Sequence, residues 1–304
     1  MRVKSVFNML FDKEFRFDLF SRLGLFNRMS DKEFSKRKYK IKMKKTLNLD
    51  SPRTYNEKLQ WLKLYYRNPL YTKLVDKYEV KKIVKSIIGE EYIIPTLGVW
   101  EHFDEIDFSK LPKQFVLKCT HDSGGLCICK DKKSFNYQDA KRLIEKCLKQ
   151  RFYLLGREWP YKGVKPRIIA EPFLEDNKTQ ELRDYKFFVF DGKVKALFIA
   201  SDRQKSIDTK FDFFDRDFNW IDVRQGHPNS QNKPEKPVNF DLMISLAEKL
   251  GKDMPHVRVD FYEVNGKVFF GEMTFFHHGG WTPFEPEKWD YIFGSWINLP
   301  KRNN

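Results

Sequence analysis

Hydrophobic positions recur with a changing period along this 304-residue chain, and the changes divide it into segments. Over residues 1–50, Phe7, Leu10, Phe11, Phe15, Leu19 and Leu23 return at roughly helical spacing, with Arg and Lys among the residues between them. This pattern predicts a helix that either packs on the main body or lies on an anionic membrane surface. The basic run from Lys36 to Lys45 reads as a solvated face or as the electrostatic anchor of such a contact. Ser51-Pro52 offers a helix start, and Tyr55, Leu59, Leu62 and Tyr66 mark one face of a helix that Asn68-Pro69 stops. A second helix is expected from about Tyr71 to Ile88, ending at Gly89.

From Lys113 the period shortens. FVLKCT and LCICK read as strands around a polar loop, and a helix is expected from Tyr137 to Phe152. Beyond a Gly/Pro-containing linker (Gly156 to Pro166), RIIAEPFL, RDYKFFVF and KVKALFIA read as strands. The stretch from Asp208 to Pro237 reads as polar and irregular. A helix from Phe240 to Leu250 then precedes a hairpin, VRVDFYEV and KVFFGEMTF. Helices mixed with short antiparallel strands make an α+β chain. The expected divisions are a basic, Phe-rich region 1–50, a helical domain 51–112, and two units over 113–171 and 172–304.

Charge changes this picture more than composition does. Aromatic residues make up 16% of the chain, with 29 Phe, enough for a substantial core. The net charge is +15, which predicts a polyanionic partner: nucleotide, anionic lipid, nucleic acid or acidic glycan. No zinc-finger, RNP-like or basic-zipper signature is present, so nucleic acid is not expected. No apolar run is long enough to span a bilayer, and the charged first residues do not read as a secretory signal, so the expected compartment is the cytoplasm. Cys119, Cys127, Cys129 and Cys147 lack metal-ligand spacing and read as buried core thiols.

Four segments carry candidate chemistry. In FVLKCTHDSGG, Lys118 sits in an apolar strand and needs an anionic partner, and the loop Ser123-Gly124-Gly125 allows close backbone approach to an anion. This is a phosphate grip or a tight turn beside an exposed lysine. It is not the P-loop pattern. In IIAEPFLE, a strand ends at Glu171-Pro172, so that Phe173 and Leu174 could wall an adenine; otherwise Glu171 is simply an exposed strand end. Asp184-Tyr185-Lys186 opens a hairpin over Asp191-Gly192, whose two-residue turn pairs Phe190 with Lys193. That register sets Tyr185, Phe187 and Val189 with Val194, Ala196 and Phe198. It leaves Asp184 and Lys186 on the opposite face, solvated or touching a phosphate.

The fourth segment runs from Arg258 to Thr274. A two-residue Asn265-Gly266 turn would put Asp260 and Glu272 on opposite faces. A three-residue loop with Gly266 in a bulge pairs Glu263 with Lys267 and gathers Val257, Val259, Phe261, Phe269, Met273 and Phe275 on one apolar face. Arg258, Asp260, Glu272 and Thr274 then line the other. Two carboxylates side by side need a proton or a shared cation, and hard oxygen ligands near a phosphate grip suit magnesium. An exposed ion-pair cluster with Arg258 is the competing reading. His277-His278-Gly279-Gly280 follows as a loop expected to close over substrate.

Taken in order, these segments resemble an ATP-grasp ligase, and more narrowly the TupA-like, teichuronopeptide-biosynthesis family of surface-polysaccharide loci. The stretches that carry the resemblance are TYNEKLQWLKL, LVDKYEVK, FVLKCTHDSGG, RDYKFFVFDGKV, RVDFYEVNGKVFFGEMTF and Pro286 to Asp290. The resemblance implies two α+β subdomains clasping ATP, the lid over 113–171 and the catalytic unit over 172–304. Lys118 and the Ser123–Gly125 loop would hold and cover the phosphates. Glu171, Phe173 and Leu174 would seat adenosine, with Asp184 nearby, and Lys186 would contact phosphate. Asp260 and Glu272 would hold Mg²⁺, with Thr274 standing where many ATP-grasp enzymes carry Asn, and Arg258 would steady the transferring phosphate. The implied reaction joins a carboxylate to an amine through an acyl phosphate. Its substrate would be an acidic sugar or amino acid of a capsule or cell-wall glycan, free or lipid-linked, handled at the inner membrane face. Two rivals stand beside it. A glycosyltransferase would use a sugar nucleotide and the Asp215-Arg-Asp217 motif, and a non-catalytic polyanion binder would have no ATP affinity.

Overall fold

The computed structural model describes residues 12–122, 124–178, 181–202 and 209–302. Phe7, Leu10, Phe11 and Ser123 lie outside the described residues. The first elements among the described residues are α1 (Lys13–Arg22), capped by Asp12, and α2 (Asp31–Met43), capped by Ser30. Phe17 of α1 is buried against Phe26 and Phe34, so the apolar side of this helix packs on the body. Helix α3 (Tyr55–Tyr65) starts at a capping box, in which Thr54 accepts from the Glu57 amide and Glu57 accepts from the Thr54 amide.

The helix expected over Tyr71 to Ile88 is two helices, α4 (Leu70–Val75) and α5 (Glu79–Ile88). The buried Asp76 causes the break: its carboxylate accepts from the amides of Tyr78 and Glu79 and pairs with Arg167 at 2.8 Å. An aspartate that binds the backbone two and three residues on competes with continuous helix. The break releases Lys77 from the helical register.

Strand β1 (Gly98–Trp100) joins β2 (Phe115–Cys119), β3 (Leu126–Cys129) and β4 (Ile168–Pro172) in a four-stranded antiparallel sheet of order β1-β4-β2-β3. Helix α6 (Tyr137–Leu148) covers one face, and the short α7 (Tyr153–Gly156) follows. Strand alternation sorts the side chains. Phe115, Leu117, Cys119, Cys127 and Cys129 enter a small core, whereas Val116, Lys118, Leu126, Ile128 and Glu171 face a cleft. All four cysteines are free and buried.

The second sheet has six strands in the order β10-β9-β5-β6-β7-β8, all antiparallel. They are β5 (Asp184–Phe190), β6 (Lys193–Ser201), β7 (Lys210–Asp215), β8 (Trp220–Ile221), β9 (His256–Val264) and β10 (Lys267–Thr274). Helices α8 (Phe240–Leu250) and α9 (Lys288–Ser295) complete the chain. The segment expected to be irregular from Asp208 onward therefore holds β7, whose Phe211, Phe213 and Phe214 are buried.

Both hairpins differ from their expected registers. Asp191-Gly192 does pair Phe190 with Lys193, but a bulge beside Phe188 and Val189 brings Lys186 opposite Phe198 rather than facing away from it. At the other hairpin the turn is the two-residue Asn265-Gly266, both residues left-handed, and Val264 pairs with Lys267. The carboxylates nevertheless meet. A bulge between Phe270 and Glu272 shifts the register by one, so Glu272 lies opposite Asp260 and Phe270, not Phe269, joins the buried face with Phe261.

Candidate active site

The registers place a polar row across the second sheet. Lys186 on β5, Asp260 on β9 and Glu272 on β10 are consecutive cross-strand neighbours, and Arg258 and Thr274 form the next pair beyond them. Asp260 is fully buried and accepts two hydrogen bonds from the Arg258 guanidinium, both at 2.7 Å, and one from Lys186. Burial opposes its ionisation, yet Arg258 and Lys186 outweigh burial and hold its pKa below the ordinary value. Burial pulls the Lys186 ammonium down despite Asp260. Lys186 also lies 3.3 Å from Asp184. Arg258 reaches Glu272 Oε1 at 2.9 Å, and Thr274 Oγ1 donates to the same oxygen at 3.4 Å.

Arg258 is braced from behind. Its Nη1 donates to His277 Nδ1 at 2.7 Å. An arginine is always a donor, so Nδ1 accepts, the ring proton sits on Nε2, and Nε2 donates to Gln225 Oε1 at 3.1 Å. Burial first, and then the His278 and Arg258 charges, push the His277 pKa well below its usual range, consistent with this neutral tautomer. The loop that carries His277 is gripped by α3. Gln60 Nε2 donates to the carbonyls of Gly279 and Gly280, both at 2.9 Å, and buried Lys63 donates to Gly279 at 2.7 Å. The His278 ring packs on that of His277, 4.2 Å between centroids, and the loop is fixed by a helix more than 200 residues earlier.

Facing this row across a cleft of ≈ 680 Å³ is the four-stranded sheet. Clefts of roughly 300–1,000 Å³ suit small ligands. Lys118 pairs with Glu171 at 2.6 Å, and Lys81 of α5 reaches the other oxygen of Glu171 at 2.5 Å. Burial opposes the charge on Glu171, but the two lysines hold its pKa below the ordinary value. Phe173 and Leu174 line the same cleft, as do Asp184, Lys186 and Glu272, whereas Arg258, Asp260 and Thr274 stand behind its lining. Gly125 lines it too. A Cβ there would stand 2.6 Å from Cys119 Sγ, whereas one at Gly124 would meet nothing within 4 Å. Only Gly125 is required by packing, and its amide donates to Asp122 at 3.0 Å.

Three cleft lysines escaped sequence reasoning as site residues. Lys77 donates to the carbonyls of Cys119 (3.2 Å) and Asp122, and burial depresses its pKa. Lys81 is the second, and Lys130, 5.0 Å over the Phe173 ring, is the third. The signal was present in the spacing of Lys77 and Lys81, four apart, but only the break at Asp76 shows that both turn inward.

The residue set fits a nucleotide. An apolar wall ends in a cluster of ammonium groups, Lys186 buried and Lys77, Lys81 and Lys118 half-buried, of which Lys77 has backbone carbonyls for its hydrogen-bond partners. Its fit to a divalent ion is narrower: among the described residues no three His, Cys, Asp or Glu side chains gather as a metal site, and Asp260 is already occupied by two cationic side chains. Glu272, with its side chain 44% exposed, is the carboxylate most open to the cleft. By contrast, Asp215 of the Asp215-Arg-Asp217 motif accepts from the amides of Asp217 and Asn219 and caps its own turn, and neither aspartate lines the cleft.

The model of the family described as TupA-like ATPgrasp matches residues 57–298, four-fifths of the chain. The chain belongs to the TupA-like ATP-grasp family. Both sheets and the cleft between them lie within the matched span, so the architecture is the α+β ATP-grasp fold. No curated protein matches the chain. Among solved structures, it is similar to D-alanine–D-alanine ligase from Helicobacter pylori (14% identity, TM-score 0.45, 83% of this chain and 68% of that one). It is also similar to the D-cycloserine synthetase DcsG (16%, 0.38, 68% and 64%). A third is the ADP complex of PurK, N5-carboxyaminoimidazole ribonucleotide synthetase (12%, 0.42, 72% and 50%). The chain thus spans between half and about two thirds of these proteins. No helix among the described residues is long and apolar enough to cross a membrane.

Proposed function

We propose that this ATP-grasp protein is an ATP-dependent carboxylate–amine ligase. The observation that carries the reading is that Lys77, Lys118 and Lys186 share one cleft with Glu272 and with the apolar wall of Phe173 and Leu174. In this reading a substrate carboxylate oxygen attacks the γ-phosphorus of ATP, the bond to the β-phosphate oxygen breaks, and ADP leaves. An amine then attacks the acyl phosphate carbonyl, inorganic phosphate departs, and the amine loses a proton. Lys118 and Lys77 hold phosphate oxygens from the lid side and Lys186 from the sheet side, with Gly124 and Gly125 close to them. Glu171 orients Lys118 and Lys81 at the nucleoside end, and Asp184 orients Lys186. Arg258, fixed by Asp260 and His277, presents its guanidinium to the charge that builds on the transferring phosphoryl group. Glu272, the carboxylate open to the cleft, would hold magnesium, with Thr274 beside it and Asp260 behind it, kept in its pair with Arg258 and Lys186; the ion neutralises phosphate charge when bound.

The substrate we infer is a uronic acid or amino acid destined for a capsule or cell-wall glycan, in the cytoplasm where ATP is available. The net charge of +15 supports an acidic partner of this kind. The test has two arms. Thermal shift is measured with Mg-ATP and with Mg-UDP-sugar, and a ligand at 100 times its Kd stabilises by about 2.7 kcal/mol. Candidate acids are then incubated with ATP and hydroxylamine, and the hydroxamate is measured by mass spectrometry. Stabilisation by ATP and a hydroxamate from one acid class are expected. A response to UDP-sugar alone, or ADP release that no carboxylate stimulates, would overturn the reading.

A further inference from the structure

The first 50 residues hold 14 Lys and Arg against 6 Asp and Glu, so one sixth of the chain contributes more than half of its net charge. Part of this charge is consumed internally. Lys38 is buried, donating to the Leu155 carbonyl and lying 3.2 Å from Asp18, and Lys42 pairs with Glu14 and Asp18. Arg22, Arg28, Lys32, Lys36 and Lys40, in contrast, are exposed and form no ion pair among the described residues.

The turn between α1 and α2 gives this charge an apolar centre. Helix α1 ends in a Schellman motif: Gly24 is left-handed (φ 78°), its amide donates to Ser21, and the Leu25 amide donates to Phe20. In that motif the residue after the glycine ordinarily packs back on the helix. Here Leu25 is 64% exposed and Leu23 is 65% exposed, more than any other described leucine. Phe26 instead turns inward, stacking on Phe17 at 4.7 Å, and the Arg157 guanidinium donates to its carbonyl at 2.6 Å. The turn is therefore held from beneath while its two leucines project, flanked in sequence by Arg22 and Arg28.

We propose that the Leu23–Leu25 turn is a membrane-docking knuckle, seated on a bilayer rich in anionic lipid. Two leucines enter the interfacial layer while the arginines and the exposed lysines of α2 meet lipid phosphates. Burial of apolar side chains and electrostatic attraction combine in interfacial attachment. Each basic residue held near an anionic surface strengthens it about fivefold. A soluble acidic glycan would use the cations but gain nothing from exposed leucines, so the leucines select lipid. This inference stands apart from the ligase reading, since neither leucine lines the cleft.

The full chain is tested by co-sedimentation with vesicles of phosphatidylcholine alone and with 30% phosphatidylglycerol (~30%, a composition at which surface charge dominates). Binding to the anionic vesicles is expected, falling with added salt. The L23S/L25S double variant is expected to bind at least about tenfold more weakly, since each leucine contributes apolar burial. R22E/R28E is expected to lose as much. Thermal melting of both variants should match the parent, because the altered side chains are exposed. Absence of binding to anionic vesicles overturns the proposal. So does binding that survives L23S/L25S unchanged, or equal L23S/L25S-independent capture by dextran sulfate, which would make the surface a general polyanion site.

Discussion

The two walls of the cleft hold their charges differently. In the four-stranded sheet, Glu171 is itself buried, 5% exposed, but it is shared by two lysines that stand at the rim, Lys118 23% and Lys81 14% exposed, so losing one leaves it the other. In the six-stranded sheet, Asp260 is 0% and Arg258 8% exposed, embedded in the large aromatic core and braced by His277, Gln225 and α3. A rim pair can exchange its partner for a ligand at small cost, because water covers part of the loss. A buried set cannot, since removing one member leaves another charge desolvated. On the proposed ligase reading, the four-stranded sheet is the wall suited to grip and release a nucleotide, and the six-stranded sheet is the wall that stays preorganised.

The largest effect is expected from Asp260→Asn. It leaves Arg258 and Lys186 buried beside a neutral amide, and breaking a buried pair from one side costs about 3–5 kcal/mol. Urea unfolding should show that loss, and ATP-dependent product formation should vanish with it. Lys118→Met at the rim should cost under about 1 kcal/mol of stability while weakening ATP binding. Equal destabilisation by the two variants would erase the distinction drawn between the walls.

The second contrast is in pH. Burial pushes His256 and His278 down to about 3, and His277 lies well below its normal value. All three stay neutral in the folded chain while the unfolded chain protonates near pH 6.5, so the unfolded state binds more protons and stability falls as pH drops below 6.5. The slope should approach about 4 kcal/mol per pH unit from these three groups between pH 6 and 5. Glu171, held low by its lysines, gives up its contribution only as pH falls through the carboxylate range. Melting temperature followed from pH 7.5 to 4.5 should therefore drop early, and His256→Gln should remove about a third of the early slope. A flat curve to pH 5 would mean that the buried rings are not neutral.

Next in size is His277→Ala, which removes the acceptor behind Arg258. A hydrogen bond to a charged group is worth about 1.5–3 kcal/mol. The loss should fall on kcat, with KM for ATP unchanged, and His277→Gln should restore part of it. A fall in stability with kcat intact would make His277 a packing residue only.

What could be read in the sequence follows the same division. In the four-stranded sheet alternation does inform: the cysteines expected in the core are there, and Lys118, expected to need an anionic partner, meets Glu171 on the cleft side because Leu117, Cys119 and Ala170 face the core. In the six-stranded sheet both faces are buried, so alternation stops informing, and two bulges decide the register instead. Asp260 and Glu272 were expected together through a three-residue turn, and they come together through a bulge at Gly271 after a two-residue turn. Polar residues inside α3 were also opaque. Asn56, Gln60 and Lys63 look like a solvated stripe until the partners appear, which are carbonyls and a carboxylate from residues 279–290. Long-range polar pairing has no local pattern. The break at Asp76 belongs with these, because its cause includes Arg167, about 90 residues away.

The smallest effect probes the lid loop, where two adjacent glycines were treated alike in sequence. Gly125→Ala drives a methyl to within 2.6 Å of Cys119 Sγ and 2.7 Å of its Cβ, above the thiol core. Neither Cys119, 0% exposed, nor the neighbouring Cys147 has room to retreat, so the loop must lift. Overpacking of this kind costs about 1–3 kcal/mol. Gly124→Ala meets open space and a backbone without positive φ, so stability should stay within about 0.5 kcal/mol. The two substitutions differ by one position and add the same atom group, which makes ATP affinity the informative readout. If the glycines serve only to close a turn, Gly125→Ala alone changes it, in proportion to lost stability. If the loop covers phosphates, Gly124→Ala weakens ATP binding with no change in melting temperature, because its methyl enters the space a phosphate would occupy.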